Sequence, residues 1–195
     1  MTVNLTLDFN CIISLENKDE FSNYLQSLVN LHDKDIVNLS VPAISASEKL
    51  LNGEYVDNIQ KFLDRIYKLS KRKFEVLRPR GIWGMTYWDY CVWDGEALIE
   101  LEKKIHKVLF PKLPFAFTNY ANLHHLNPDI LTPKWRNPKC DVISMWCHIY
   151  YQKDIFVTND DNFHKHTKKE PLIELGAKNI LRPFEIIIDL GYENN

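Results

Sequence analysis

The sequence predicts an α/β protein of three layers, α/β/α, with helices on both faces of a central, mainly parallel sheet. Three observations carry that expectation. Short alternating or β-branched apolar runs recur between longer segments whose apolar residues fall at helical spacing. The 195 residues fit one domain with an insertion better than two full domains. Hydrophobic residues at 45% and charged residues at 26% supply a real core and give no compositional basis for disorder.

Residues 3–8 alternate apolar and polar and read as a strand ending in the polar turn Asp8-Phe9-Asn10. Over 18–31, Phe21, Leu25, Leu28 and Leu31 share a helical face, with Asp19 and Glu20 at the end where the dipole favours anions. Residues 36–41 form a second strand stopped by Pro42, and a helix is expected to begin near Ser45 and to continue through Lys49 and Leu51. A third helical pattern covers about 55–70 through Ile59, Phe62, Leu63, Ile66, Tyr67 and Leu69. From about 74 to 138 the alternation stops. That stretch holds four of the five tryptophans and six of the nine prolines around one expected helix at 94–109. Linkers are not built from tryptophan, so 74–138 reads as an insertion packed onto a single domain spanning 1–195. The alternation resumes with a helix over 141–151, a strand over 155–158 and a helix over 162–175 capped by Gly176, followed by strands at 179–181 and 184–188.

Lys and Arg number 24 against 26 Asp and Glu, a net charge of −2 that excludes a protein gripping nucleic acid by overall charge. No run of eighteen apolar residues is present, which excludes a membrane-spanning segment, and the start of the chain does not read as an apolar leader. The four cysteines form no C-x-x-C pair, so a reduced, cytoplasmic setting is expected. His124-His125 and His164-Lys165-His166 have no partners at zinc-binding spacing, and neither a Gly-x-Gly-x-x-Gly nor a Walker loop cradles a nucleotide.

Four acids stand where such a sheet gathers its polar ends. Asp8 ends the first strand, Glu48 falls in the first turn of the helix after the second, Asp141 opens the helix before the fourth, and Asp160 follows the 155–158 strand. Each has a bland local reading. Glu48 completes a capping-box pattern with Ser45, Asp141 suits a helix dipole, and Asp8 and Asp160 suit turns. Together they would repel one another unless a cation neutralised them, and hard ions such as Mg²⁺ and Mn²⁺ prefer such oxygen ligands.

These segments resemble the PIN-domain family of metal-dependent, nuclease-like domains. Leu7-Asp8-Phe9-Asn10-Cys11-Ile12-Ile13 is similar to the family's opening strand and turn, and Val41-Pro42-Ala43-Ile44-Ser45-Ala46-Ser47-Glu48 to the segment bearing its second acid. Asp141-Val142-Ile143-Ser144 resembles the helix bearing the third, and Val157-Thr158-Asn159-Asp160-Asp161-Asn162-Phe163 the strand end bearing the fourth. The resemblance implies a nuclease hydrolysing phosphodiester bonds, an endoribonuclease acting on single-stranded RNA, with Mg²⁺ or Mn²⁺ on Asp8, Glu48, Asp141 and Asp160. Asn10 and Thr158 would orient those ligands. A non-catalytic PIN-like module binding RNA or protein is the alternative, and an antitoxin-like protein partner and a homodimer are the assemblies such a resemblance brings into view. Between 61 and 80 the chain is locally basic, and Lys68, Lys71, Arg72, Lys73, Arg78 and Arg80 are expected to contact nucleic acid beside Trp83, Tyr87 and Trp88. The competing readings are a solvated charged face and tryptophans that anchor the insertion.

Overall fold

The computed structural model describes residues 2–48, 58–93 and 95–192. Its centre is a five-stranded, all-parallel sheet in the order β3-β2-β1-β4-β5, formed by β1 (Val3–Leu7), β2 (Val37–Pro42), β3 (Glu75–Leu77), β4 (Ile155–Val157) and β5 (Asn179–Leu181). The chain starts in the middle, winds outward through β2 and β3, then returns to the other side of β1. The order therefore reverses between β1 and β4, and in open α/β sheets the crevice beyond the carboxyl ends of such a pair is the usual place for a site.

Alternate side chains commit the sheet to two cores. Leu5, Leu7, Val37, Leu39 and Val41 pack on one face with α1 (Phe9–Asn17), α2 (Ser22–Asp33), α3 (Ile59–Ile66) and, at the end of the chain, α9 (Pro183–Asp189). The other face meets α4 (Glu96–Leu109), α5 (Phe117–Leu123), α6 (Pro133–Tyr150), α7 (Asp161–His164) and α8 (His166–Leu172) around Phe156, Trp146 and Phe163. The face under α6 is partly polar. The His148 ring bonds the Thr6 hydroxyl through Nδ1 at 3.0 Å and donates from Nε2 to the Ala177 carbonyl at 2.8 Å, so burial costs it no hydrogen bond.

Several elements differ from the sequence reading. Residues 9–17 form a helix, with Asp8 as its N-cap, where only a polar turn was expected. The 18–31 helix begins at Ser22, because Asp19 spends its side chain on a turn, accepting from the Phe21 amide at 3.0 Å. The expected strand at 184–188 is α9. Pro183 stands at its first turn and the Glu185 carboxylate accepts from the Arg182 amide at 2.6 Å, a start signal that outweighs the β-branched run Ile186-Ile187-Ile188. The segment after β2 is a short 3₁₀ turn, Ala43–Ser47, rather than the start of an α-helix. Lys49 and Leu51, and residues 55–57 of the third expected helix, lie outside the described residues. The expected insertion 74–138 supplies β3 at its start and the first turns of α6 at its end, so its ends belong to the body.

What lies between is anchored by α4 and by a buried ion cluster in which Glu102 of α4 pairs with Arg80 of the preceding loop and with Lys139 of α6. Trp135 and Trp146 tie the same region down, donating to the Pro114 and Leu98 carbonyls at 2.9 and 3.0 Å. No helix among the described residues is long and apolar enough to cross a membrane. The four cysteines are buried and free.

Candidate active site at the carboxyl edge

Asp8 leaves the end of β1 at the switch point. Its Oδ1 accepts from the Phe9 amide at 2.9 Å, which caps α1, and its Oδ2 accepts from Asn10 Nδ2 and from the Thr158 hydroxyl, both at 2.7 Å. Thr158, just past β4, also accepts from Asn10 Nδ2 at 2.9 Å and from the Asp160 amide at 3.1 Å, so its one donor and two acceptor positions are all used. Asn10 closes the ring by accepting from the Asn159 amide at 3.3 Å. Asp8 and Thr158 are thus locked together across the β1–β4 crevice from opposite ends of the chain.

The other acids reach the same place by routes the sequence did not disclose. Glu48 is not in the first turn of a helix. It leaves the 3₁₀ turn in extended conformation, and the capping box with Ser45 is absent, since both the Ser45 hydroxyl and Glu48 Oε1 are buried without a hydrogen-bond partner. Asp141 does not open its helix either, because α6 starts eight residues earlier at Pro133. The reason is length. From Asp141 to the end of α6 is about 14 Å at 1.5 Å per residue, close to the roughly 17 Å of a five-residue strand, so the first turns of α6 overshoot the sheet and leave Asp141 level with the strand ends. The helix dipole reading of Asp141 falls with this.

Electrostatics records the convergence. Burial first, then its hydrogen bonds, then the neighbouring Asp160 set the Asp8 carboxyl, with burial dominant enough to push it up to about 6. Burial and the charges of Asp8 and Asp141 hold Glu48 well above the usual carboxylate range, and burial with Asp8 and Asp160 does the same to Asp141. Of the neighbours Asp160 and Asp161, Asp160 faces the cluster and caps α7 through the Asn162 amide at 2.8 Å, whereas Asp161 points outward to Arg182 with its side chain 84% exposed. No three His, Cys, Asp or Glu side chains among the described residues stand close enough to grip one ion in their present rotamers. The donor set nonetheless suits a hard divalent cation, because a buried carboxylate oxygen of Glu48 lacks any partner and burial with neighbouring acids raises the proton affinity of Asp8, Glu48 and Asp141.

Three groups at this edge escaped the sequence reading. The Lys168 ammonium lies near Asp141 and Asp160 and is held by the Leu109 carbonyl at 2.6 Å and by Asn162 Oδ1. Arg136, one turn before Asp141, donates from Nε to the Ser47 carbonyl at 2.7 Å, beside Glu48. His164 bonds the Thr158 carbonyl at 2.9 Å. A cation five residues before the third acid was a visible signal for Arg136; nothing local marks Lys168.

The residues expected to contact nucleic acid lie at both edges of the sheet. Lys68, Lys71, Arg72 and Lys73 lie between the end of α3 and the start of β3, at the amino edge of the sheet, opposite the acids. Arg72 is consumed there by the His32 and Val37 carbonyls and Asn38, with Asp35 beside it, and Lys73 sits 5.0 Å from the Tyr67 ring centre. Arg80 pairs through Nε with buried Glu102, and Arg78 lies over the Tyr90 ring at 5.9 Å. The run is divided for a topological reason, since β3 carries the chain from the amino edge of the sheet to its carboxyl edge between Lys73 and Arg78. Trp83, Trp88 and Trp93, in contrast, form an exposed cluster, with ring centres 6.2 and 4.8 Å apart. Compared with protein-family models, with curated proteins and with solved structures, the chain matches none.

Proposed function

We propose that this protein is a metal-dependent nuclease that hydrolyses phosphodiester bonds in single-stranded RNA, working in the cytoplasm as a PIN-like enzyme. One observation carries the reading: Asp8, Glu48 and Asp141, drawn from three separate chain segments, meet buried or half-buried at the switch-point edge, where burial and neighbouring acids raise the proton affinity of each. Structural carboxylates are placed beside cations or donors, and a cluster that disfavours its own ionisation is expensive unless it serves a ligand.

Mg²⁺ or Mn²⁺ bound to Asp8, Glu48, Asp141 and Asp160 would supply positive charge to activate water and to stabilise the leaving oxygen. The spread of the carboxylates suits ions that take one or two protein carboxylates each and complete their shells with water and substrate phosphate. Asn10 and Thr158 fix the Asp8 carboxylate by saturating Oδ2, which leaves the remaining lone pair of Oδ1 as its open ligand position. Glu48 Oε1 is unsatisfied and needs no bond broken before it can bind.

The reading is tested by incubating labelled single-stranded RNA with the wild type and with Asp8→Asn and Asp160→Asn in millimolar Mn²⁺. Cleavage by the wild type that falls by orders of magnitude in both folded variants supports it. Undiminished cleavage in the variants sinks it, and RNA binding without cleavage by the wild type assigns a non-catalytic module instead.

A further inference from the structure

Beside the acidic edge, on the side of α6 that faces α4, a cavity of ≈ 530 Å³ opens between the loop after β3, the segment around α5 and the first turns of α6. Trp83, Phe117, Leu131 and Trp135 give it apolar, largely aromatic walls, and Arg80 and Lys139 bring cations to its lining. Those cations belong to the ion cluster that anchors the insertion. Glu102, 0% exposed, pairs with both, so the cluster holds two cations against one carboxylate, with Lys139 buried and Arg80 half-buried at the cavity wall. Lys139 is itself only 3% exposed; its ammonium lies 3.8 Å from the Phe115 ring centre and donates to the Phe115 carbonyl at 3.3 Å. His106 does not balance the sum, since burial lowers its proton affinity and its Nε2 donates to the Leu113 carbonyl. Asp129 lies at the rim, exposed and screened by water.

One excess positive charge at the wall of an aromatic-lined cavity of ligand size is complemented by a ligand of opposite charge. We propose that this cavity binds a small flat aromatic molecule bearing a single negative charge, an aromatic carboxylate whose anion meets Arg80 and Lys139 and whose ring lies against Trp83. A monoanion brings the cluster to neutrality, whereas a phosphate monoester dianion would overshoot it. Trp83 is the adaptable wall: 83% exposed and borne on a loop whose Gly84 has φ +74, it stands at the mouth where an arriving ring would cover it. The site is independent of the nuclease reading, which could fail without affecting it.

Titration calorimetry of the whole protein at pH 7.5 tests it with three probes sharing one ring system: 2-naphthylacetate, its neutral amide and 2-naphthylethylamine. The carboxylate is expected to bind with saturation at one site, about tenfold or more tighter than the amide, with the amine weakest, as a charge-assisted contact to Arg80 and Lys139 requires. Trp83→Ala, at an exposed position that leaves the core intact, is expected to weaken the carboxylate about threefold or more by removing the ring contact. Equal affinity of the three probes, failure of the carboxylate to saturate at low millimolar concentration, or unchanged affinity in Trp83→Ala would each overturn the proposal.

Discussion

Asp8→Asn removes one charge from the acidic cluster while keeping its shape, and its effect on stability follows from the Asp8 environment. Folding raises the Asp8 carboxyl from about 3.8 to about 6. The folded state therefore holds its proton where the unfolded state has released it, and wild-type stability falls as pH rises through the interval from 3.8 to 6. Above pH 6 the full cost is present, about 3 kcal/mol from 2.2 pKa units at 1.36 kcal/mol each. Asparagine carries no such cost. It does lose part of the gain, because three donors, the Phe9 amide, Asn10 Nδ2 and the Thr158 hydroxyl, converge on a group that would now have only one acceptor oxygen. That mismatch costs about 1–2 kcal/mol and is independent of pH. In metal-free buffer the difference in unfolding free energy, variant minus wild type, should thus rise by about 2–3 kcal/mol between pH 4 and pH 8, measured by urea denaturation at each pH. Groups that titrate alike in both proteins cancel from the difference. Parallel stability profiles across that range would refute the placement of Asp8 in a buried acidic cluster.

Millimolar Mn²⁺ should raise the melting temperature of the wild type, since an ion that binds only the folded site stabilises it by mass action, and Asp8→Asn should lose that shift; equal shifts in both would place the ion elsewhere. His148, buried and pushed down to about 4, binds its proton more weakly folded than unfolded, so it contributes a loss of about 3 kcal/mol as pH falls from 6.5 through 4, opposite in sign to Asp8. His148→Gln should flatten the acid limb of the urea-monitored stability curve, and an unaltered limb would contradict the neutral, bonded imidazole. Changing Lys71, Arg72 and Lys73 together to alanine should leave the salt dependence of RNA cleavage unchanged and cost about 1–3 kcal/mol of stability through the lost Arg72 bonds. A flattened salt slope would bring the RNA path back to the amino edge.

How far the sequence discloses this protein depends on the range of the cause. Alternation in residues 3–7 and the β-branched run before Pro42 specify β1 and β2 because a strand's two faces are written in neighbouring residues. The run Phe184-Glu185-Ile186-Ile187-Ile188 misleads because a β-branched composition fits either a strand or a buried helix face. Pro183 and the Glu185 cap decide for the helix, and Ile186 and Ile187 are buried in the core beside α1, α2 and α3. Residues 9–17 carry no clear helical signal because a nine-residue helix is too short for its period to stand out.

For the site, the sequence by itself determined the residue types and the joint placement of four acids near strand ends, and it marked Thr158 and Asn10 as their companions. Only the tertiary structure decided that the Thr158 hydroxyl meets an Asp8 oxygen 150 residues away, that Asp161 turns outward to Arg182, and that Lys68, Lys71, Arg72 and Lys73 lie at the other edge of the sheet. Periodicity, caps and turn residues act over a few positions and can be read in order along the chain. Burial and Coulomb energy depend on what packs alongside, and in a parallel sheet those neighbours are set by crossovers that bring distant segments together.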